Sequence, residues 1–246
     1  MSLATANLME TVKKQYSFKL KAYIDSFSSL VGIQLLAILF SLGGSSSYTS
    51  FSDGIGLEVK YYSADIVIVF TMIWAFVTAI TITTKPYRNH DFTYVATRLS
   101  SSLSNILFLL TASLLGATTA VFSRFLIQLI GFFLFDYQLY SAPISLGVIA
   151  LGIISSLIYI FSISSIGYLV GALVQVSKLF AVFIPVLFIG SLFLNVTTQR
   201  EPFLTKVVQF YAMETSVLLF LIKMLVTTAL FFILSISILN RMEVRR

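Results

Sequence analysis

Cysteine is absent from the 246-residue chain, which excludes disulfides, thiol nucleophiles and thiolate metal sites. The single histidine, His90, cannot form a zinc site alone. Charge is scarce as well. Only 11% of residues are Asp, Glu, Lys or Arg, against roughly 25% in an ordinary soluble domain. With 58% apolar residues and a mean hydropathy of +0.96, a water-soluble surface cannot be assembled. Also missing are a Gly-x-x-x-x-Gly-Lys-Ser/Thr loop, a His-Glu-x-x-His helix and a Gly-x-Ser-x-Gly elbow. A membrane-embedded enzyme would still need paired carboxylates, or a nucleophile with its base. The apolar runs offer only Asp65 near an edge, Arg124 and Lys223, so the chain is expected to bind no cofactor or metal and to catalyse nothing itself.

What is present are long apolar runs. A helix needs about 20 apolar residues to cross about 30 Å of hydrocarbon, and the pattern predicts six such spans in an all-α, polytopic membrane protein. Before the first, Leu8, Val12, Tyr16, Leu20, Tyr23 and Phe27 recur at steps of three or four, with Glu10, Lys13, Lys14 and Lys21 mostly elsewhere. That spacing predicts a basic amphipathic helix lying on the membrane surface. Lys13, Lys14, Lys19 and Lys21 precede any long apolar run, so the first run is expected to remain as an anchor rather than be cleaved as a signal.

The first span covers 24–42 and stops at Gly43 and Gly44, before a Ser-rich loop holding Asp53 and Glu58. The second covers 63–84, carries Trp74 and Thr78, and ends at Lys85 and Pro86. Residues 85–104 interleave Lys85, Arg88, His90, Asp91 and Arg98 with Tyr87, Phe92, Tyr94 and Leu99, predicting a short amphipathic helix rather than a span. The run 103–135 is long for one helix and short for two plus a turn, so one tilted helix, or one interrupted near Gly116, is expected. A fourth span, 143–170, opens at Pro143. After a polar turn at 175–178, a fifth at 179–194 contains Pro185, which predicts a kink. A loop with Gln199, Arg200, Glu201, Pro202 and Lys206 leads to the sixth, 215–239.

With six spans both termini share one side. The amino-terminal segment, residues 85–104, Lys178 and the tail carry eleven Lys and Arg on that side, against Lys60, Arg200 and Lys206 on the other. The excess predicts that both termini are cytoplasmic, and no soluble module is left for nucleic acid to bind. Arg124 and Lys223 remain at membrane depth, where a charge costs several kcal/mol and faces a partner, a cavity or the interface. Lys223 lies roughly 12–14 Å from Glu214 along a helix, so it either reaches the outer interface or lines a path. Arg124 is assigned an interface or interhelical role. Trp74 and Thr78 are polar handles of the kind that more often pack helices than bind substrate. Gly167 and Gly171 form a Gly-x-x-x-Gly pattern, and internal packing is a better explanation for it than a dimer face.

The stretch Asp91-Phe92-Thr93-Tyr94-Val95-Ala96-Thr97-Arg98-Leu99-Ser100, continued by Ser104-Asn105 and the apolar run to Ser123-Arg124, resembles small type-2 ABC exporter permeases of Gram-positive bacteria. So does the layout of the whole chain. The resemblance implies a single transmembrane domain over 1–246. Within it lie an interfacial helix (1–23), two spans (24–84), a cytoplasmic coupling segment (85–104), and four further spans with a basic tail (105–246). It implies a separate ATPase subunit holding ATP and Mg, a second permease chain (a homodimer or heterodimer partner), membrane lipids around both, and a bacterial cytoplasmic membrane. It maps ATPase coupling onto Tyr87, Arg88, Asp91, Phe92 and Arg98, and makes Trp74, Thr78, Arg124 and Lys223 candidates for the translocation path or helix interfaces. With few charges at depth, the path suits an amphipathic or apolar cargo, such as an antimicrobial peptide, an antibiotic or a lipid-like molecule. The competing class is an ATP-independent carrier, channel or membrane scaffold. A carrier should show repeated halves, and a channel a filter-like loop.

Overall fold

The computed structural model describes residues 8–44, 46–52, 55–61, 63–87, 97–135, 145–198, 203–214 and 216–241. Five helices in it are long and apolar enough to cross a membrane. A basic amphipathic helix α1 (Leu8–Ala22) leads into α2 (Ile24–Ser41), and α3 (Asp65–Thr83) follows a connection that holds two strands. Next come α4 (Arg98–Phe135), α5 (Leu146–Val176), α6 (Phe180–Thr198), the short α7 (Phe203–Ala212) and α8 (Val217–Arg241). Large apolar side chains such as Leu35, Leu39, Ile73, Val77, Leu230 and Ile233 stand exposed around the bundle. Water would not tolerate that surface, and lipid requires it. The protein is a multi-pass membrane protein.

The helical body carries one exception to the all-α expectation. Ser46–Ser52 (β1) and Ile55–Tyr61 (β2) pair antiparallel, in register from Ser46 opposite Tyr61 to Ser52 opposite Ile55, where the sequence reading predicts only a loop. The strands are rich in Thr, Tyr, Phe, Val and Ile, which favour a pleated backbone, and Asp53-Gly54 between them is a dipeptide preferred in two-residue hairpin turns. α7 is a second correction, a helix within the region predicted as a loop.

α4 differs most from its prediction. It is one helix of 38 residues that starts at Arg98, so residues 98–104 belong to it and not to a separate coupling helix. The start is set by Thr97, whose hydroxyl accepts the Ser100 N–H at 3.2 Å as an N-cap does. No break occurs at Gly116. The missing side chain there lets α3 approach instead, since a β-carbon would lie 2.9 Å from Thr71 Cγ2.

Three buried layers follow one another along the bundle. Tyr23, Ile82, Phe108, Tyr168 and Phe232 make the first. Leu30, Trp74, Ala112, Ala117 and Ile160 make the second. Ala37, Ile38, Val67, Ala120 and Ile127 make the third. The rising numbers in α2 and α4 against the falling numbers in α3 show that α3 runs antiparallel to the other two. One end of the bundle therefore carries α1 and the other the β-hairpin. α5 is the hub, packed against α3, α8 and α4. Gly167 and Gly171 make the α3–α5 approach possible. A β-carbon at Gly167 would sit 2.5 Å from the Phe76 carbonyl oxygen, and one at Gly171 would strike the Thr83 hydroxyl. The Gly-x-x-x-Gly notch is thus filled within this chain.

Candidate functional site

The α1 end is cross-linked by polar contacts between segments remote in sequence. Arg98, in the first turn of α4, donates from Nη1 to the Leu239 and Asn240 carbonyls at 3.2 Å each, placing a cation on the carboxyl end of α8, where the helix dipole favours it. Gln175, near the end of α5, donates from Nε2 to the Thr83 carbonyl at the end of α3. Tyr23, at the joint between α1 and α2, meets Tyr87 edge to face with ring centroids 4.9 Å apart, and meets Phe108 of α4 at 5.6 Å. Its hydroxyl donates to the Tyr87 carbonyl at 3.5 Å. Ala22, Tyr23, Asp25, Ser26, Pro86 and Tyr87 surround a cleft of about 320 Å³ at this joint.

Lys19 is the most unusual group at this end. The charge pattern counts it with the solvated lysines, yet its side chain is 0% exposed. Its ammonium donates to Asn105 Oδ1 at 2.5 Å, Ser104 Oγ at 2.8 Å and the Ser101 carbonyl at 3.3 Å. Asn105 in turn donates from Nδ2 to the Tyr168 hydroxyl at 3.4 Å, carrying the network into α5. The inner stripe of α1 is therefore Val12, Gln15 and Lys19, facing the serine-rich first turns of α4. Leu8, predicted on the apolar face, is exposed, and so are Lys13, Lys14 and Lys21. Glu10 and Lys14 pair at 2.7 Å on the outer surface, where the ammonium holds the Glu10 carboxyl below its ordinary range. Such an exposed pair adds little to stability.

Of the residues assigned to coupling, Tyr87 and Arg98 occupy this end, and Arg88, Asp91 and Phe92 lie outside the described residues. Trp74 is buried and donates to Ser29 Oγ of α2 at 2.9 Å. Thr78 is buried in α3. Both stand among packed helices. Gln34, which sequence reasoning passed over, is the polar centre of the bundle: its Nε2 donates to Thr71 Oγ1 and to the Gly116 carbonyl, each at 3.1 Å, tying α2, α3 and α4 together. A lone Gln inside an apolar run is the signal that could have found it, because an amide at that depth must bond within protein.

Lys223 and Arg124 differ in their partners. Side chains lean toward the amino end of their helix. α8 starts at the hairpin end, so Lys223 leans outward, pairs with Glu214 and covers the Phe210 ring with its ammonium 4.2 Å from the centroid. Glu214→Gln is expected to cost about 1–3 kcal/mol in a denaturation series in mild detergent, since it leaves a part-buried ammonium without its carboxylate. Arg124, on α4, has its Nε buried without a hydrogen-bond partner.

No protein-family model, no curated protein and no solved structure matches the chain.

Proposed function

We propose that the chain is the membrane-spanning permease subunit of an ATP-driven type-2 ABC exporter in a bacterial cytoplasmic membrane. The observation that carries this reading is the cross-linked α1 end. Tyr87 and Arg98 flank residues 88–96 and are tied to different elements, Tyr87 to the α1–α2 joint and Arg98 to the end of α8. A soluble subunit seated on the segment between them would pull on α1, α3, α4 and α8 at once, which is what a coupling segment has to do.

α6 is taken as the remaining span, the fifth in chain order, with α8 the sixth. Gln175 and Asn240 bring the ends of α5 and α8 to the same end of the bundle, which supports a crossing between them. The 19 residues Phe180–Thr198 make a helix of about 28 Å, enough for that crossing. The exposed Lys13, Lys14, Lys21, Lys85, Lys178 and Arg241 gather at the α1 end, and the positive-inside rule turns this end, with both termini, to the cytoplasm.

ATP and its Mg belong to the partner ATPase, and this chain is not itself an enzyme. A second permease chain completes the path. The membrane-level groups Gln34, Thr71, Trp74 and Ser29 are bonded to one another inside one chain, which favours a seam between two chains as the route. An amphipathic or hydrophobic cargo, such as an antimicrobial peptide, an antibiotic or a lipid-like molecule, suits such a seam.

The test is purification of the tagged chain from its native membrane in mild detergent, with identification of co-purifying proteins and assay of vanadate-sensitive ATP hydrolysis. An ATPase partner is the expected result. Asp91→Asn and Arg98→Ala are then each expected to lower partner retention or hydrolysis roughly tenfold, about 1.4 kcal/mol of coupling. A chain that purifies alone and ignores nucleotide would be a carrier, a channel or a scaffold instead.

A further inference from the structure

Arg124 sits at a defined depth. Ala120 and Ile127, about one turn to either side, are fully buried against Ala37, Ile38 and Val67, close to the hairpin ends of α2 and α3. Ile38 and Val67 lie within about 5 Å of those helix ends along the axis, so Arg124 is level with the edge of the hydrocarbon on the hairpin side. Lipid phosphates lie just beyond that edge. The Arg124 Nε is sealed from solvent and has no hydrogen-bond partner. One turn further, on the same stripe of α4, Gln128 is half-buried.

The surface beside this pair is made for acyl chains. Phe122, Phe125, Leu126 and Leu129 are all more than two-fifths exposed. A guanidinium is a permanent cation whose planar fork matches two oxygens of a phosphate. Leaving it unmatched at this depth is costly. The matching group has to come to it, carried by a molecule that places a phosphate at the edge of the hydrocarbon and hydrocarbon tails below. We propose that Arg124, with Gln128 beside it, holds the phosphate of an anionic phospholipid on the hairpin side of the membrane. This assignment is independent of the transport reading.

The test uses the full chain in mild detergent, with phosphatidylglycerol, phosphatidylcholine or inorganic phosphate as probes, and bound molecules counted by native mass spectrometry. Wild type is expected to retain phosphatidylglycerol in preference to phosphatidylcholine. Arg124→Gln should weaken that retention roughly tenfold or more, and Arg124→Lys should recover part of it. Unchanged retention by Arg124→Gln, or equal retention of the two lipids, would overturn the assignment. Displacement of the lipid by an equal concentration of inorganic phosphate would overturn it too, and would make the site one for a soluble anion. If Arg124→Gln does not fold, wild type is labelled with a phosphatidylglycerol carrying a photoreactive headgroup. Labelling concentrated in residues 115–129 supports the site, and labelling spread evenly over the lipid-facing helices refutes it.

Discussion

Replacing Asn105 with leucine is expected to destabilise the protein by about 3–5 kcal/mol, the usual cost of leaving a buried charge poorly matched. The substitution removes an oxygen that accepts from the fully buried Lys19 ammonium, and with it the link to Tyr168. Lys19→Met should cost less, about 1–3 kcal/mol, because it leaves neutral groups rather than a charge without their partner. The double variant is the sharper experiment. With Lys19→Met and Asn105→Leu together, both ends of the contact become apolar, and most of the Asn105→Leu loss should be regained. Denaturation in mild detergent reads the total, and protease susceptibility of α1 reads its release from α4. Strict additivity of the two losses would show that the residues do not act as a pair.

The second large effect belongs to the α3–α5 seam. Gly167→Ala is expected to cost about 2–4 kcal/mol, and Gly167→Val to abolish accumulation of folded protein. The added β-carbon would meet a backbone oxygen, that of Phe76, at 2.5 Å, and backbone within a helix can yield only if α3 moves as a whole. Gly171→Ala should be damaging for a different reason, because the nearest obstacle there is the Thr83 hydroxyl, with Thr83 Cβ and Ile80 Cα at 3.1 and 3.2 Å behind it. Thr83→Ala should therefore restore part of the stability lost in Gly171→Ala and do nothing for Gly167→Ala. Thermal unfolding of the four variants and wild type decides this. Rescue at both positions, or at neither, would contradict the described seam.

These two sites also mark the limits of what the sequence reveals. Hydrophobic length and punctuation locate α2, α3 and α8 within two residues or so, because Gly43-Gly44, Lys85-Pro86 and Asn240-Arg241 stop the runs where the helices stop. Inside a long apolar run, punctuation loses its meaning. Gly116 looks like a break and is a contact surface, since a glycine in lipid keeps its helical hydrogen bonds and only shortens the distance to a neighbour. Charge counting fails at Lys19 for a related reason. Its partners lie 82 to 86 residues further along, and local periodicity cannot tell a lysine that faces water from one that faces serines on another helix. The clue was the composition of the receiving surface. Ser100, Ser101, Ser102, Ser104 and Asn105 open an otherwise apolar helix, and all five are buried. The β-hairpin was hidden because Ser-rich text reads as loop, although Asp53-Gly54 and the alternating Thr, Tyr, Phe and Val beside it carry the hairpin signal.

The length of α4 has a mechanical consequence. At 38 residues it extends about 57 Å, nearly twice the thickness of the hydrocarbon, with no interruption. It is clamped at one end by Lys19 and by the carboxyl end of α8, and packed at the other through Ala120 and Ile127 against α2 and α3. Braced at both ends, it works as a strut that ties any shift at the α1 end to the hairpin side, where its last side chains, Phe132, Phe133 and Leu134, stand exposed.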